Sequence, residues 1–274
     1  MNKPNTTALV DGREPVANEL LHLAMYPYGA YTSFVVEHGA IRGLDLHISR
    51  LEHASTTLFG STVENRRIRH AIRQHISYAG ENVRMRICLF NPNFDLAAPA
   101  ATDTISILTT STPDTTVDTT TPGAALHVRT TAAVRQLYDV KTISMLDQIV
   151  ARRQAHIDGF DDVLFIEHDT VLEGTTWNVT LFNNTTMTAT TPTGALLEGV
   201  TAALLGTTAT MLGYAHERRP VKTAEMFTAN LVVASNVTNP TRYVASCDQT
   251  GVKHDITLLN ELHATFRSLP TQTP

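Results

Sequence analysis

Residues 135–179 read RQLYDVKTISMLDQIVARRQAHIDGFDDVLFIEHDTVLEGTTWNV, and they are the most informative segment for predicting the fold. It predicts a helix over about 142–158 that a glycine ends, and then short strands on both sides of a turn at 168–169. Lys141 stands at the predicted junction of strand and helix, and Glu173 lies near the end of the second strand. This order of elements indicates a mixed α/β domain.

Lys141 is notable because the chain uses lysine sparingly, with four lysines among its 21 basic side chains. A lysine, unlike an arginine, can lose its proton and attack a carbonyl carbon as an amine. The helix dipole disfavours a cation at a helix start and so favours the neutral amine there. One apolar face of the following helix is predicted to be core, formed by Ile143, Leu146, Ile149 and Val150.

Glu173 is the second residue of interest, because it ends a predicted strand beside Gly174. A buried carboxylate against a pyridine ring would keep the ring nitrogen protonated and make the ring an electron sink. Lys141 and Glu173 together therefore indicate a site for a Schiff-base cofactor. Taken separately, each has a simpler interpretation: a lysine that reaches solvent at a helix start, and a carboxylate at a turn.

The composition argues against several classes of partner. The net charge of −5 does not suit nucleic-acid binding, and Arg66, Arg67 and Arg69 are interpreted as one solvated helix face. Two distant cysteines do not form a disulfide framework, and no metal site is expected. The sequence shows neither a signal peptide nor the roughly 18 apolar residues of a membrane span. We therefore expect a soluble, cytosolic protein that does not bind membranes.

A threonine-rich run divides the chain. TTSTPDTTVDTTT, residues 109–121, lacks apolar periodicity and contains a proline, which predicts an exposed connector. We predict an N-terminal α/β domain over 1–110, a linker over 111–123 and a larger, strand-rich C-terminal domain over 124–274. The fold class is α/β in the broad sense (α+β), with the chemistry in the second half and at its boundary.

The apolar patterns predict the elements within each domain. In the first half we expect a hairpin over 30–37 and 40–46 with a turn at His38-Gly39, a helix over 47–60, a helix over 64–78, and strands over 83–90 and 104–110. In the second half we expect strands over 125–131, 162–167, 170–174, 177–183, 231–236 and 242–247, a helix from about 199 to 213, and a final helix over 255–266.

Two segments of the second half suit phosphate binding. LLEGVTAALL, residues 196–205, reads as the apolar end of a strand, a glycine and a helix N-terminus, whose backbone N–H groups bind phosphate well. Ser235 and Asn236 follow a predicted strand and offer hydroxyl and amide donors. Arg50 lies on an amphipathic helix, where a surface cation is the simpler interpretation.

In this order, the motifs resemble the class IV aminotransferase family of fold type IV enzymes, which depend on pyridoxal 5′-phosphate. The family includes D-amino-acid and branched-chain aminotransferases and aminodeoxychorismate lyases. YGAYTSFVVEHGAIRGLDLHISRL, residues 28–51, matches its opening hairpin and its His-x-x-Arg-Leu helix. The stretch around Lys141 and Glu173 matches the lysine-bearing block and the Glu-x-Ser/Thr-x-x-Asn signature. LLEGVT and VVASNVTNP match the two phosphate segments.

The resemblance implies a role for each matching position. Lys141 would be the catalytic residue that forms the Schiff base, and Glu173 would pair with the pyridine nitrogen. The residues implied to hold the phosphate are Arg50, Val200, Thr201, Ser235 and Asn236. Leu197 would pack on the ring. The implied substrate pocket is lined by Tyr31, Thr32 and Ser33. The family also implies a homodimer with the site between the two domains.

Departures from the family pattern leave the activity open. Thr180 stands where an aromatic residue is preferred, and Ala202 stands where a basic residue is expected. We expect an aminotransferase that moves an amino group between a small-molecule donor, an amino acid or amine, and a keto acid acceptor. A lyase of the aminodeoxychorismate type, which releases pyruvate, is one alternative. A catalytically silent relative used for binding is another.

Overall fold

The computed structural model describes residues 6–100, 104–113 and 121–274, which fold into two compact units. The first unit comprises the described part of Met1–Val117 with Val140–Ser144 and Pro270–Pro274; the second comprises the described part of Asp118–Asp139 with Met145–Leu269. The helices found there are α1 Ala17–Met25, α2 Leu44–Phe59, α3 Asn65–Ala79, α4 Leu146–Ile157, α5 Val200–Met211, α6 Thr223–Thr228 and α7 Ile256–Ser268.

The strands of the described residues belong to two sheets. They are β1 Thr7–Val10, β2 Gly29–Glu37, β3 Ala40–Arg42, β4 Val83–Phe90, β5 Ser106–Pro113, β6 Gly123–Ala132, β7 Asp162–Glu167, β8 Thr170–Gly174, β9 Asn178–Asn183, β10 Thr188–Pro192, β11 Ala215–Arg219, β12 Leu231–Ser235, β13 Arg242–Cys247, β14 Thr250–Gly251 and β15 Thr271–Gln272. The mixed α/β class predicted from the sequence is confirmed.

The first unit is built on a six-stranded antiparallel sheet in the order β1-β5-β4-β2-β3-β15. The alternation in VRMRICLF produces β4 with the predicted bounds, because successive side chains of a strand point to opposite faces. Met85 and Ile87 are fully buried on the inner face, where α2 packs on β2 and α3 on β5. The predicted hairpin turn is also confirmed: His38 and Gly39 have φ values of +50° and +74°, the left-handed pair that a two-residue hairpin favours.

The threonine-rich run begins as a strand, not as a connector. Residues 109–113 lie in β5 and pair with β4, while 114–120 lie outside the described residues. Threonine is β-branched and suits a strand. Thr109 and Ser111 also point inward, where their hydroxyls lie 2.9 and 2.8 Å from the ring nitrogens of the buried His75. The change from the first unit to the second falls between Val117 and Asp118, and Val140–Ser144, with Lys141, groups with the first unit.

The second unit contains a nine-stranded sheet in the order β11-β10-β9-β12-β13-β6-β7-β8, with β14 on β13. A further pairing between β8 and β9, at Glu173 and Asn178, closes six of these strands into a ring. The core of this unit includes Trp177, Val179 and Val232. Closure of the ring places the end of β8 beside the start of β9, so Glu173 and Asn178 are neighbours.

The helix after Lys141 begins later than predicted, and most of its predicted core face is exposed. α4 starts at Leu146, and Leu146, Ile149 and Val150 are 68%, 59% and 57% exposed. α4 packs on β7, and its buried residues are Gln148 and Ala155. The prediction of a helix from the apolar spacing is therefore confirmed, but these apolar side chains lie on the surface and not in the core.

Several other elements differ from the sequence prediction. α1 and α6 were missed, and 193–199 is a loop where an apolar strand end was expected. Across the described ranges, every helix is too short or too polar to cross a bilayer.

Candidate functional site

Lys141 lies in an extended segment of the first unit, alongside β2. The Tyr31 N–H donates to the Lys141 carbonyl over 2.8 Å, and the Ile143 N–H donates to the Gly29 carbonyl over 3.0 Å. The preceding Val140 is fully buried and anchors the segment. Because these backbone groups pair with a strand, no helix starts at Lys141. The predicted strand-to-helix junction is therefore wrong, and the helix-dipole argument does not apply to this lysine.

The ring of Tyr31 contacts two cations. Lys141 Nζ lies 4.9 Å from the ring centroid and Arg86 Cζ lies 4.4 Å from it, within the range of cation–π attraction. Arg86 Nε also donates to Ser33 Oγ over 3.3 Å. Lys141, Tyr31 and Ser33 thus lie together with an arginine that sequence analysis did not identify. The pairing of β2 with β4 places Arg86 opposite Ser33, and the local sequence pattern does not show this neighbour.

Thr32 points to the other face of β2. It is fully buried, and its Oγ1 lies 2.7 Å from Nδ1 of His47 in α2. Since neighbouring strand residues alternate between faces, Thr32 does not share the face of Tyr31. This corrects the expectation that Thr32 lines the substrate pocket. The assignments of Tyr31 and Ser33 to that pocket stay predictions.

His47 is within electrostatic range of both Arg50 and Lys141. Burial, with smaller contributions from the positive charges of Arg50 and Lys141, lowers the pKa of His47 to about 3. The imidazole is therefore neutral near pH 7. Both cations act on this one side chain, so Arg50 and Lys141 lie in the same region of the first unit. Arg50 is half-buried rather than a fully solvated surface cation.

Glu173 belongs to the second unit and forms an ion pair with Arg135. Arg135 Nε donates to Glu173 Oε1 over 2.9 Å, and Nη2 lies 2.9 Å from the same oxygen. The Glu173 side chain is 9% exposed and that of Arg135 is 15% exposed. A carboxylate so deeply buried needs charge compensation, which Arg135 provides. Arg135 was not among the residues predicted from the sequence, although it begins the stretch that carries Lys141 and Glu173.

The turn after Glu173 is fixed by a polar cluster around Asp162. Thr175 Oγ1 donates to Asp162 Oδ1 over 2.7 Å, and Trp177 Nε1 donates to Asp162 Oδ2 over 2.9 Å. Arg152 Nη2 donates to the same Oδ2 over 2.7 Å. The threonine hydroxyl that follows Glu173 is therefore structural, and it holds the carboxylate's strand in place.

Asn178 holds the N-terminus of α5 against β9. Its Nδ2 donates to the Leu197 carbonyl over 2.7 Å, in the loop before the helix. A Cβ on Gly199 would lie 1.9 Å from Asn178 Oδ1, so this approach requires glycine. The N–H groups of Val200 and Thr201, in the first turn, have no acceptor within the helix. Both residues are at least 91% buried, which directs these donors into a sheltered position.

Ser235 carries a buried hydroxyl without a partner. The residue is 1% exposed, and its Oγ makes no hydrogen bond within the part of the chain that the structure describes. Ser235 lies opposite Asn178 in the pairing of β12 with β9, so the two side chains project from the same face. Asn236 shapes the next turn, since its Oδ1 accepts from the N–H groups of Thr238 and Asn239. An unpaired buried hydroxyl is costly, and a ligand oxygen would satisfy it.

The residues of the second unit fit pyridoxal phosphate. The Ser235 hydroxyl and the N-terminus of α5 offer donors of the kind that a phosphate would need, and the Glu173 carboxylate offers an acceptor of the kind that a protonated ring nitrogen would need. The predicted site residues divide between the units. The first unit holds Lys141, Arg50, Tyr31, Thr32 and Ser33, and the second holds Glu173, Leu197, Val200, Thr201, Ser235 and Asn236.

The two departures from the family pattern are both buried in the second unit. Thr180 is fully buried in β9, and its Oγ1 lies 3.2 Å from Thr191 Oγ1, which in turn lies 3.0 Å from His216 Nε2. Ala202 is 4% exposed in the first turn of α5. Neither residue replaces one of the donors or acceptors described above.

Comparison with known proteins finds a family match over most of the chain. The family model described as amino-transferase class IV matches residues 29–247. No curated protein matches the chain.

Solved structures share the fold at low sequence identity. A branched-chain amino acid aminotransferase from Thermobaculum terrenum, in its PLP form, is 17% identical with a TM-score of 0.79, over 97% of this chain and 94% of that one. A hypothetical aminotransferase from Mycobacterium tuberculosis, in its PLP-bound form, is 17% identical with a TM-score of 0.77, over 94% and 98%. A protein proposed to be a 4-amino-4-deoxychorismate lyase, from Legionella pneumophila, is 18% identical with a TM-score of 0.78, over 90% and 93%. These matches confirm the fold type IV architecture.

Proposed function

Because the chain belongs to the class IV aminotransferase family, we propose that it is a pyridoxal-phosphate-dependent aminotransferase with Lys141 as its catalytic residue. It moves an amino group between an amino acid or amine and a keto acid. The fixed position of Lys141 carries this proposal: its carbonyl pairs with β2, and its Nζ lies beside the Tyr31 ring. The PLP-containing structures from M. tuberculosis and T. terrenum support the choice of cofactor.

The proposed cofactor site consists of the positions that match the family's cofactor residues. The groups that would bind the phosphate are the N–H groups of Val200 and Thr201, the hydroxyl of Ser235, the guanidinium of Arg50, and Asn236 through the turn that it shapes. Glu173 would accept from the ring nitrogen, and Leu197 would pack on the ring. When bound, pyridoxal phosphate supplies an electron sink for the electron pair released at the substrate Cα.

Lys141 has a defined task in this proposal. Its Nζ, as a neutral amine, accepts the proton from the Cα of the amino donor. The Arg86 guanidinium lies against the same tyrosine ring, so Arg86 and Lys141 are neighbours there. The extended backbone of the segment, paired with β2, keeps the start of the side chain in one place.

Substitution of Lys141 tests the function directly. Lys141→Ala should abolish amino transfer, while Lys253→Ala, which removes an exposed lysine, should leave it unchanged. Amino transfer at the wild-type rate by Lys141→Ala would overturn the proposal. A preparation that stays colourless with added pyridoxal phosphate would favour the silent, binding-only alternative.

A lyase is the second candidate, and the structural match to the L. pneumophila protein supports it. The same lysine and carboxylate would serve both reactions, so these residues do not separate them. Incubation with an aromatic amino acid precursor, without a keto acid, separates the two. Pyruvate release under these conditions favours the lyase, whereas product formation that depends on an added keto acid favours the aminotransferase.

We also propose that the protein forms a homodimer. Four apolar side chains of α4, each at least 57% exposed, give this helix an outward apolar face: Leu146, Ile149, Val150 and Ile157. A contiguous apolar surface of this kind is typical of an interface. Sedimentation equilibrium should show a dimer for the wild type and a weaker one for Ile149→Glu. A monomeric wild type would contradict the assignment.

A further inference from the structure

α5 approaches the second sheet closely at two glycines. A Cβ on Gly199 would lie 1.9 Å from Asn178 Oδ1, and a Cβ on Gly206 would lie 2.4 Å from Cε1 of His216. Gly199 and Gly206 are seven residues apart, so they lie on the same side of the helix, roughly 10 Å apart along its axis. Glycine disfavours a helix interior relative to alanine. The imidazole of His216, which occupies the space of a side chain there, therefore explains Gly206.

A chain of hydroxyl groups holds the His216 ring. Its Nε2 lies 3.0 Å from Thr191 Oγ1, which lies 3.2 Å from Thr180 Oγ1. Thr180 is two residues after Asn178 in β9, so both side chains project from the same face, and Ser235 lies opposite Asn178 on that face. Polar groups therefore run across the strands beneath α5, from the start of the helix to His216.

These groups are shielded from solvent. Thr180 is fully buried and Thr191 is 9% exposed. Burial, with a smaller contribution from the charge of Arg218, lowers the pKa of His216 from its ordinary value of 6.5, so the ring is neutral near pH 7. A neutral imidazole has one donor and one acceptor nitrogen, so it can bond with a hydroxyl in either direction. The contact with Thr191 thus restricts the orientation of the ring against α5.

We propose that His216 is a positioning residue for the cofactor: it sets how closely α5 packs on the sheet, and so where the N–H groups of Val200 and Thr201 lie. The inference rests on the proposed cofactor site, in which those N–H groups would bind the phosphate. A helix held at one point can tilt about that point, whereas contacts at both Gly199 and Gly206 fix its direction. His216 therefore acts on the phosphate through the helix and not by contact.

Three variants test the contact between Gly206 and His216: Gly206→Ala, His216→Ala and the double variant. Each is titrated, as the cofactor-free protein, with pyridoxal phosphate, and its thermal unfolding is recorded. Gly206→Ala should lower the Tm and weaken binding by roughly 5-fold to 10-fold, because the new methyl group displaces the imidazole or the helix. In the His216→Ala background the same substitution should raise the Tm, since the three atoms nearest to the new Cβ all belong to His216 and alanine favours a helix. Equal effects of Gly206→Ala in both backgrounds would overturn the inference.

Two substitutions of Thr191 test the hydroxyl chain apart from packing. Thr191→Val keeps the volume and removes the hydroxyl beside His216 Nε2, so it should weaken binding of pyridoxal phosphate by roughly 2-fold to 5-fold. Thr191→Ser keeps the hydroxyl and should bind as tightly as the wild type. Wild-type affinity in Thr191→Val with weaker binding in Thr191→Ser would show a packing role alone and contradict the inference. This pair also decides the matter if Gly206→Ala does not fold.

Two simpler ligands separate this inference from the proposed function. Inorganic phosphate, which has no ring, should bind more weakly to Gly206→Ala and Thr191→Val than to the wild type. Pyridoxal, which has no phosphate, should bind to all three equally. Equal losses for pyridoxal and pyridoxal phosphate would overturn the inference. A wild type that binds phosphate but not pyridoxal phosphate would contradict the proposed function, while the phosphate affinities of the variants would still decide the role of His216.

Discussion

Arg135 and Glu173 form a buried ion pair in which Arg135 Nε donates to Glu173 Oε1 over 2.9 Å. Arg135 Nη2 also donates to the carbonyl of Tyr138 over 2.9 Å, so the guanidinium is held from two sides. Glu173 is the residue proposed to meet the ring nitrogen of the cofactor. Its negative charge is thus compensated within the second unit, before any ligand binds.

Loss of Arg135 should destabilise the protein through this pair. Arg135→Gln removes the cation that is hydrogen-bonded to the buried Glu173 carboxylate in this pair, and we expect a cost of about 3 kcal/mol in the free energy of unfolding. Glu173→Gln should cost less, because Arg135 retains the Tyr138 carbonyl. Urea unfolding of both variants and of the double variant should give a coupling energy of at least about 1 kcal/mol. Additive effects would show that the pair contributes nothing.

Ser235→Ala should lower the affinity for the cofactor without lowering the stability of the protein. The hydroxyl has no partner in the described part of the chain, so its removal should leave the cofactor-free protein equally or slightly more stable. Affinity for pyridoxal phosphate should nevertheless fall by roughly 5-fold to 10-fold, the loss of about one hydrogen bond. Equilibrium titration checks this, with Ser268→Ala on α7 as the control. Unchanged affinity in Ser235→Ala would remove this residue from the phosphate site.

Gly199→Ala should disturb the start of α5. The added Cβ would lie 1.9 Å from Asn178 Oδ1, so the loop must move and the bond from Asn178 to the Leu197 carbonyl must weaken. We expect lower thermal stability and weaker cofactor binding. Gly251→Ala is the matched control, because a Cβ there meets nothing within 4 Å. Equal behaviour of the two variants in a thermal melt would contradict this reading of the helix start.

Stability should fall in mild acid because of two buried histidines. Burial lowers the pKa of His47 to about 3 and that of His75 to about 4, from an ordinary value of 6.5. The unfolded chain then binds protons that the folded chain does not, so this stability is complete above pH 6.5 and is lost as the pH falls. Each histidine adds a slope of up to about 1.4 kcal/mol per pH unit. Urea unfolding across this window should show a smaller slope for His75→Gln; an unchanged slope would contradict the prediction.

Local patterns predicted most elements of the fold. The alternation of apolar and polar residues in VRMRICLF predicted β4. Glycines predicted the hairpin turn at His38-Gly39 and the ends of several helices, where the structure shows them with left-handed φ. These signals depend on neighbouring residues, so a single sequence contains them. The order of motifs that led to Lys141, Glu173 and Ser235 is likewise readable from the chain.

The features that escaped prediction depend on distant partners. The segment of Lys141 is extended because Gly29 and Tyr31, far away in sequence, pair with it. In the sequence alone, Arg135 and Arg86 resemble ordinary surface cations. The structure shows that Arg135 contacts Glu173 and that Arg86 contacts Tyr31, and both partners are distant in the chain. The apolar side chains of α4 recur at helical spacing, as predicted. That spacing does not indicate whether these side chains pack in the core or lie on the surface.

Reduction of the holoenzyme with borohydride, followed by peptide mapping, tests whether Lys141 forms the Schiff base with the cofactor. The proposed role of Lys141 predicts that one pyridoxyl phosphate group becomes attached to the peptide that contains Lys141. The label should be absent in Lys141→Ala and unchanged in Lys253→Ala. A label on another lysine, or labelling of Lys141→Ala equal to that of the wild type, would contradict the account.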